Sequence, residues 1–194
     1  MRQITEIVIH CTATQPNWWH DRPTSAKVEE IRRWHKAQGW RDVGYHYLID
    51  RDGTVAEGRP VEQVGAHVKG RNAGTIGVAL FGGHGSSATD QFSDHFTLRQ
   101  ANALRALIAK LQADYGPLAV SGHNQFAAKA CPGFNAPAWY AQKPASAPAE
   151  TRKPSPIPTP PDAPATAFLR GLRAVLAALW AAVRLLFPGD TKGR

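Results

Sequence analysis

Three side chains able to hold a transition metal stand far apart in this chain: His10, His123 and Cys131. His10 closes an apolar, β-branched run, a position from which a side chain leaves the rim of a sheet and can face a cleft. His123 follows Gly122 just after a second short strand-like stretch. Cys131 lies eight residues on, in AAKACPG, a segment too rich in Pro and Gly for a regular element. Zinc takes imidazole and thiolate in tetrahedral geometry, and a hydrolytic site keeps three protein ligands plus one open position for water. Two histidines and one cysteine meet that requirement. No C-x-x-C or H-E-x-x-H pair is present, so spacing alone leaves open the other reading, two hydrogen-bonded histidines and a buried thiol.

The elements that must position these groups alternate strand and helix. Ile4 to His10 reads as a strand. Ser25 to Gln38 reads as an amphipathic helix with Val28, Ile31 and His35 on its inner stripe, Thr24 or Ser25 as its cap and Gly39 as its stop. Residues 44–58, GYHYLIDRDGTVAEG, read as two strands joined around Asp52-Gly53. TIGVALFG at 75–82 is a nearly continuous apolar run, the pattern of a central strand covered on both faces. Thr97 and Gln100 form a capping box that opens a helix to Tyr115, closed by Gly116-Pro117. Leu118 to Ser121 is a short strand, and Pro137 to Ala141 a last helical turn. The fold class is α/β, a mixed central sheet flanked by helices, followed by a Pro-rich linker and a C-terminal amphipathic helix.

Four stretches carry a family resemblance: IVIHCTAT (7–14), IRRWHKAQGWRDVGYHYLIDRDGTVAEGRP (31–60), VGAHVKGRNAGTIGVALFGG (64–83) and GHNQFAAKACPGF (122–134). In order and in spacing they resemble the type 2 family of zinc-dependent N-acetylmuramoyl-L-alanine amidases. That family includes phage endolysins and shares its fold with peptidoglycan recognition proteins. The resemblance covers about residues 4–140 and implies one zinc per chain, held by His10, His123 and Cys131. It also implies Tyr45 and Lys129 as catalytic residues, and cleavage of the amide between muramic acid and L-alanine in peptidoglycan. Lys129 and Cys131 are two apart in what should be extended chain, so their side chains leave on one side and an ammonium stands beside the metal. Tyr45 offers a hydroxyl that either donates to the same oxygen or moves a proton to the leaving amine. No obvious Glu serves as a separate base.

Neighbouring residues divide between chemistry and packing. His67, in GAHVKGRN, matches a groove-lining position of the family and is read as a substrate contact or a loop hydrogen bond. Asn72 and Thr75 are substrate contacts or shapers of the turn before the strand. His46 alternates with Tyr45 and reads as a packed core histidine. His35 and Trp34 read as core or cleft wall, and Cys11, next to a ligand but on the opposite strand face, as a buried thiol. Because all five family positions are occupied, an active enzyme is expected over a recognition module without catalysis.

Composition separates this domain from the last quarter of the chain. Of 194 residues, 43% are hydrophobic and 20% charged, enough to bury a core and to exclude wholesale disorder; two cysteines exclude a disulfide-stapled scaffold. The formal charge is +8, but residues 1–142 carry only +3 of it and residues 143–194 the other +5. Eight of the 15 prolines fall in 144–164, so 143–164 reads as an extended linker between the catalytic domain (1–142) and the tail. Residues 165–187, ATAFLRGLRAVLAALWAAVRLLF, place Leu169, Leu172, Leu176, Leu179, Val183 and Leu186 on one helical face and Arg170, Arg173 and Arg184 on the other. The uninterrupted apolar run is ten residues, short of the roughly 18 of a span, which favours a basic helix lying on an anionic membrane or lipopolysaccharide over a transmembrane anchor. Residues 188–194 read as a flexible end. Nucleic acid is not an expected partner, since the charge sits on the tail and on no recognisable motif. The N-terminus shows no cleavable secretory signal, implying synthesis in the host cytoplasm and action on the periplasmic wall. One member of the family also inhibits its phage's RNA polymerase, so a regulatory contact of that kind is the alternative function.

Overall fold

The computed structural model describes residues 2–142. The linker expected at 143–164, the helix at 165–187 and the tail at 188–194 lie outside the described residues. Among the described residues, no helix is long and apolar enough to cross a membrane.

The domain is organised around β1 (Glu6–Cys11), in which Ile7, Val8 and Ile9 have no exposed surface. There follow α1 (Thr24–Ala37), β2 (Tyr47–Ile49), β3 (Val55–Glu57), β4 (Thr75–Leu80), α2 (Phe92–His95), α3 (Leu98–Tyr115), β5 (Ala119–Gly122), a 3-10 turn (His123–Gln125) and α4 (Ala136–Ala141). The five strands lie in the order β3-β2-β4-β1-β5. β1 runs parallel to β4 and β5, β2 runs parallel to β4, and β3 is antiparallel to β2. This is the mixed α/β sheet that the sequence implies.

Alternation along β1 sorts its side chains between two cores. Ile7 and Ile9 join Ile76, Val78 and Leu80 of β4 against Leu104, Ile108 and Leu111 of α3. On the other face Val28 and Ile31 of α1 pack with Val43, Leu48, Ala79 and Phe81. Truncating one of the fully buried aliphatic residues, such as Ile108, to Ala costs about 2–5 kcal/mol. His10, one residue beyond Ile9, is turned to the α1 side.

Local signals act where the sequence places them. Gly53 has φ +90°, and the Asp52 carboxylate accepts from Thr54 N at 2.8 Å to close the β2–β3 turn. Thr97 Oγ1 accepts from Gln100 N and Gln100 Oε1 from Thr97 N, both at 3.1 Å, forming the capping box. Gln100 does more than cap, since its Nε2 donates to Ile49 O and Phe81 O and ties α3 to the sheet.

One cap differs from expectation. α1 is preceded by Pro23, and neither Thr24 nor Ser25 caps it. The Thr24 hydroxyl instead donates to Asp50 Oδ2 at 2.8 Å, beside Lys27 Nζ at 2.8 Å and 2.9 Å from the two carboxylate oxygens. Asp50 and Lys27 are both buried, and a carboxylate taken out of water needs every donor within reach. The short helix α2 and the 3-10 turn at His123 are too brief to leave a periodic signal in the sequence.

Candidate metal centre and active site

Parallel pairing of β1 with β5 brings the first two candidate ligands together. Ile9 is in register with Gly122, so His10 and His123 emerge side by side at the same sheet edge, with ring centroids 4.7 Å apart. The chain then turns through residues 123–130 and returns Cys131 to the same point. There Cys11 N donates to Cys131 Sγ at 3.3 Å, and Cys131 Sγ lies 3.7 Å from His10 Nδ1. One ligand atom from each of His10, His123 and Cys131 lies within 4.8 Å of the others.

The 3.7 Å separation of Cys131 Sγ from His10 Nδ1 fits a shared ion. With metal–sulfur near 2.3 Å and metal–nitrogen near 2.05 Å, a tetrahedral angle puts sulfur and nitrogen about 3.6 Å apart. The cluster borders a cleft of about 760 Å³, whose walls include Tyr45, His67, Asn72, His123 and Lys129; a metal held by three donors would keep one position for water. Cys11 stays outside the donor set. It packs into the α3-side core, on the opposite strand face from His10.

The protonation states suit ligation. Burial, reinforced by the neighbouring His67, His123 and Lys129, holds His10 well below the usual imidazole range. His123 is lowered by burial and then by Lys129. Both rings are therefore neutral near pH 7 and have a lone pair to offer. The neighbouring Cys11 thiol and burial push the Cys131 thiol up, against the Cys11 backbone N–H, which works the other way; a strong local positive charge is needed to draw off its proton. Burial also raises Tyr45, which stays a phenol.

The remaining expected residues fall into two groups. Lys129 lines the cleft from a bend and not from extended chain, its N–H donating to Ala127 O at 2.8 Å. Tyr45 stands with its ring 5.1 Å from that of His10. His46 is the packed core histidine, its Nδ1 accepting from Gly77 N at 2.9 Å and its Nε2 within 3.0 Å of Gln63 O. Asn72 Oδ1 accepts from the backbone N–H groups of His67 and Val68, which shapes the loop even though the residue lines the cleft. Thr75 is buried, with Oγ1 donating to Arg71 O at 2.8 Å, and does not reach the cleft lining. His67 is only 6% exposed and lies behind His10, with Nδ1 at 3.1 Å from His10 Nε2.

Two aromatic cleft residues are not singled out by the sequence reading. Trp40 is 37% exposed, lies tilted against His35 with ring centroids 4.5 Å apart and forms one wall; Phe126 forms another. The available signal was a tryptophan immediately after the helix-stopping Gly39, in a position where no core can claim it. His35 itself is cleft wall, its Nδ1 accepting from Gly44 N at 2.9 Å.

With this geometry established, the comparisons decide the family. The family model described as N-acetylmuramoyl-L-alanine amidase matches residues 1–134. The chain belongs to that family. It is 44% identical over 134 residues to the endolysin of Escherichia phage T7, covering 69% of this chain and 83% of that protein. It is 41% identical over 139 residues to the endolysin of Klebsiella phage KP32, covering 72% and 87%. Among solved structures, the N-acetylmuramoyl-L-alanine amidase LysC from Clostridium intestinale URNW matches at TM-score 0.56 and 31% identity over 70% of this chain and 80% of that one. This amidase is thus an enzyme of peptidoglycan lysis.

Proposed function

We propose that this amidase cleaves the bond between N-acetylmuramic acid and L-alanine at a single zinc held by His10, His123 and Cys131. The observation that carries this reading is the convergence of those three donors on the floor of a cleft whose walls supply Tyr45 and Lys129. Two imidazoles and one thiolate are a donor set suited to zinc. When bound, the ion supplies Lewis-acid polarisation of the scissile carbonyl and makes water a stronger acid.

The chain's own groups do the rest. Tyr45, kept protonated by burial, donates a hydrogen bond to the carbonyl oxygen as negative charge grows on it. Lys129, exposed on the cleft wall, places an ammonium near the same oxygen and balances that charge. Trp40 and Phe126 give the cleft apolar walls that exclude water around the reacting amide. Asn72 offers a substrate contact from the same wall. The polymerase-contact alternative gains no supporting feature among the described residues.

The test uses full-length protein and purified sacculi, with zinc stoichiometry and release of new L-alanine amino termini as readouts. Wild type is expected to carry one zinc per chain and to release amino termini; Cys131→Ser is expected to lose both. A Cys131→Ser protein with full zinc and full activity refutes the ligand set.

On the sequence of residues 165–187 we propose a second contact, with anionic lipid or lipopolysaccharide, through a helix that is apolar on one face and carries arginines on the other. The full chain is expected to bind anionic vesicles in a salt-dependent way, and a chain truncated after Gln142 to lose that binding. Equal binding by the two refutes it.

A further inference from the structure

Behind the metal centre lies a chain of hydrogen bonds that the catalytic reading does not use. Thr75 Oγ1 donates its one proton to Arg71 O at 2.8 Å. It can then only accept from His67 Nε2, which lies 3.3 Å away. A neutral imidazole protonated at Nε2 is bare at Nδ1, so His67 Nδ1 accepts from His10 Nε2 across the 3.1 Å contact. His10 is thereby left with its own Nδ1 bare, and that is the atom facing Cys131 Sγ. Each link fixes the next, and the direction is set at its far end by a backbone carbonyl.

Space for this arrangement is provided by two glycines. A Cβ on Gly77, in the middle of β4, would lie 2.6 Å from Cδ2 and Cγ of the His67 ring. One on Gly65 would lie 2.7 Å from Cδ2 of the same ring. A central strand rarely gives up a side chain without a close approach to accommodate, and here the approaching group is His67.

We propose that His67 is a positioning residue for the metal: with Thr75 behind it, it holds His10 in the Nε2–H tautomer and the ring orientation that present Nδ1 to the ion. The proposal rests on the ligand set given above. It assigns His67 a task in building the site, distinct from touching substrate. Metal-ligating histidines depend on such partners, whose loss weakens metal binding about 10–100-fold.

The experiment titrates metal-free full-length protein with zinc against a chromophoric chelator. Nitrogen-15 NMR of the histidine rings in the metal-free state reads the tautomer directly. His67→Leu is expected to bind zinc about 10–100-fold more weakly at unchanged stoichiometry, and His10 is expected to change from the single Nε2–H tautomer to a mixture. His67→Asn places Oδ1 the same number of bonds from Cα as Nδ1, restores an acceptor for His10, and is expected to recover most of the loss. Thr75→Val keeps the shape, removes the acceptor for His67 Nε2–H, and is expected to weaken binding several-fold; it decides the matter if His67→Leu does not fold.

A zinc affinity within threefold of wild type in a folded His67→Leu, or in Thr75→Val where His67→Leu does not fold, overturns the proposal, as does a His67→Asn protein no better than His67→Leu. Failure of the parent reading looks different: wild type then binds no stoichiometric zinc, or Cys131→Ser binds it as tightly as wild type.

Discussion

Gly77→Ala isolates the steric basis of the site in one methyl group. Its backbone is not in the left-handed region, so alanine is conformationally permitted and the effect is purely one of space. The added Cβ would sit 2.6 Å from two atoms of the His67 ring, against an ordinary contact of at least 3.4 Å. Something must retreat by about 0.8 Å, as overpacked cores generally require. The strand cannot, because Gly77 is in register with Val8 of β1 and exchanges backbone and side-chain bonds with His46 at 2.9 Å on its other side. The ring therefore moves. The methyl would press on the face of the ring, 2.6 Å from Cγ and Cδ2 and 3.0 Å from Nδ1, so the retreat runs out of the ring plane and tilts Nδ1 off the line to His10 Nε2, weakening the 3.1 Å contact by misalignment.

Overpacking of this kind costs about 1–3 kcal/mol, or about 3–10 °C in Tm for a domain of this size. Zinc affinity is expected to fall with it. Calorimetry and chelator competition measure the two effects. Gly74→Ala is the control, since its Cβ would meet only Thr5 Oγ1 at 3.4 Å and Gln3 O at 3.8 Å, and it is expected to stay within about 1 kcal/mol of wild type. In Gly77→Ala/His67→Ala the clash has no second partner, so the double variant is expected to be more stable than the sum of its singles. An unchanged Tm and zinc affinity in Gly77→Ala, or a cycle additive to within about 0.5 kcal/mol, would refute the reasoning.

Tyr45→Phe and Lys129→Ala are each expected to lower kcat by about 10²–10³-fold with zinc content intact, because both act on charge in the transition state and neither is a ligand; loss of zinc from either contradicts this. Stability is expected to fall as pH drops from about 6.5 to 4. His46 and His35 are both lowered to about 4 by burial, so in that window the unfolded chain binds protons that the folded chain refuses. His46 alone contributes about 3 kcal/mol to that change, and a flat urea midpoint between pH 7 and 4.5 contradicts it. Lys27→Met is expected to cost about 3–5 kcal/mol by stranding the buried Asp50 carboxylate, and Lys27→Met/Asp50→Leu to recover much of it; equal losses in the single and the double variant contradict the pairing.

The parts of the fold legible in the sequence are those set by neighbouring residues. Asp52-Gly53 marks a turn and Thr97 with Gln100 a helix start because a few adjacent groups satisfy one another wherever the chain goes. The α1 cap departs from its local signal for the opposite reason: Thr24 has a local use, and Asp50, 26 positions away, takes it instead. The metal ligands have no readable spacing, since the register of β1 with β5 brings His10 and His123 together; the family resemblance stands in for that missing topology. His67 lies further out of reach. Its partner is 57 positions away and its space is made by Gly77 and Gly65, so sequence can assign it to the groove but not to the back of the metal centre.

The ligands also differ in how firmly the chain owns them. His10 lies near the end of the central strand β1 and His123 directly follows the edge strand β5 paired with it, whereas Cys131 arrives on a loop outside the sheet. If the proposed ligand set holds, removing the ion with a chelator is expected to loosen the Cys131 loop first and to leave the two cores standing. Folding and loading are then expected to be separate events, with an emptied enzyme able to wait, intact, to be refilled.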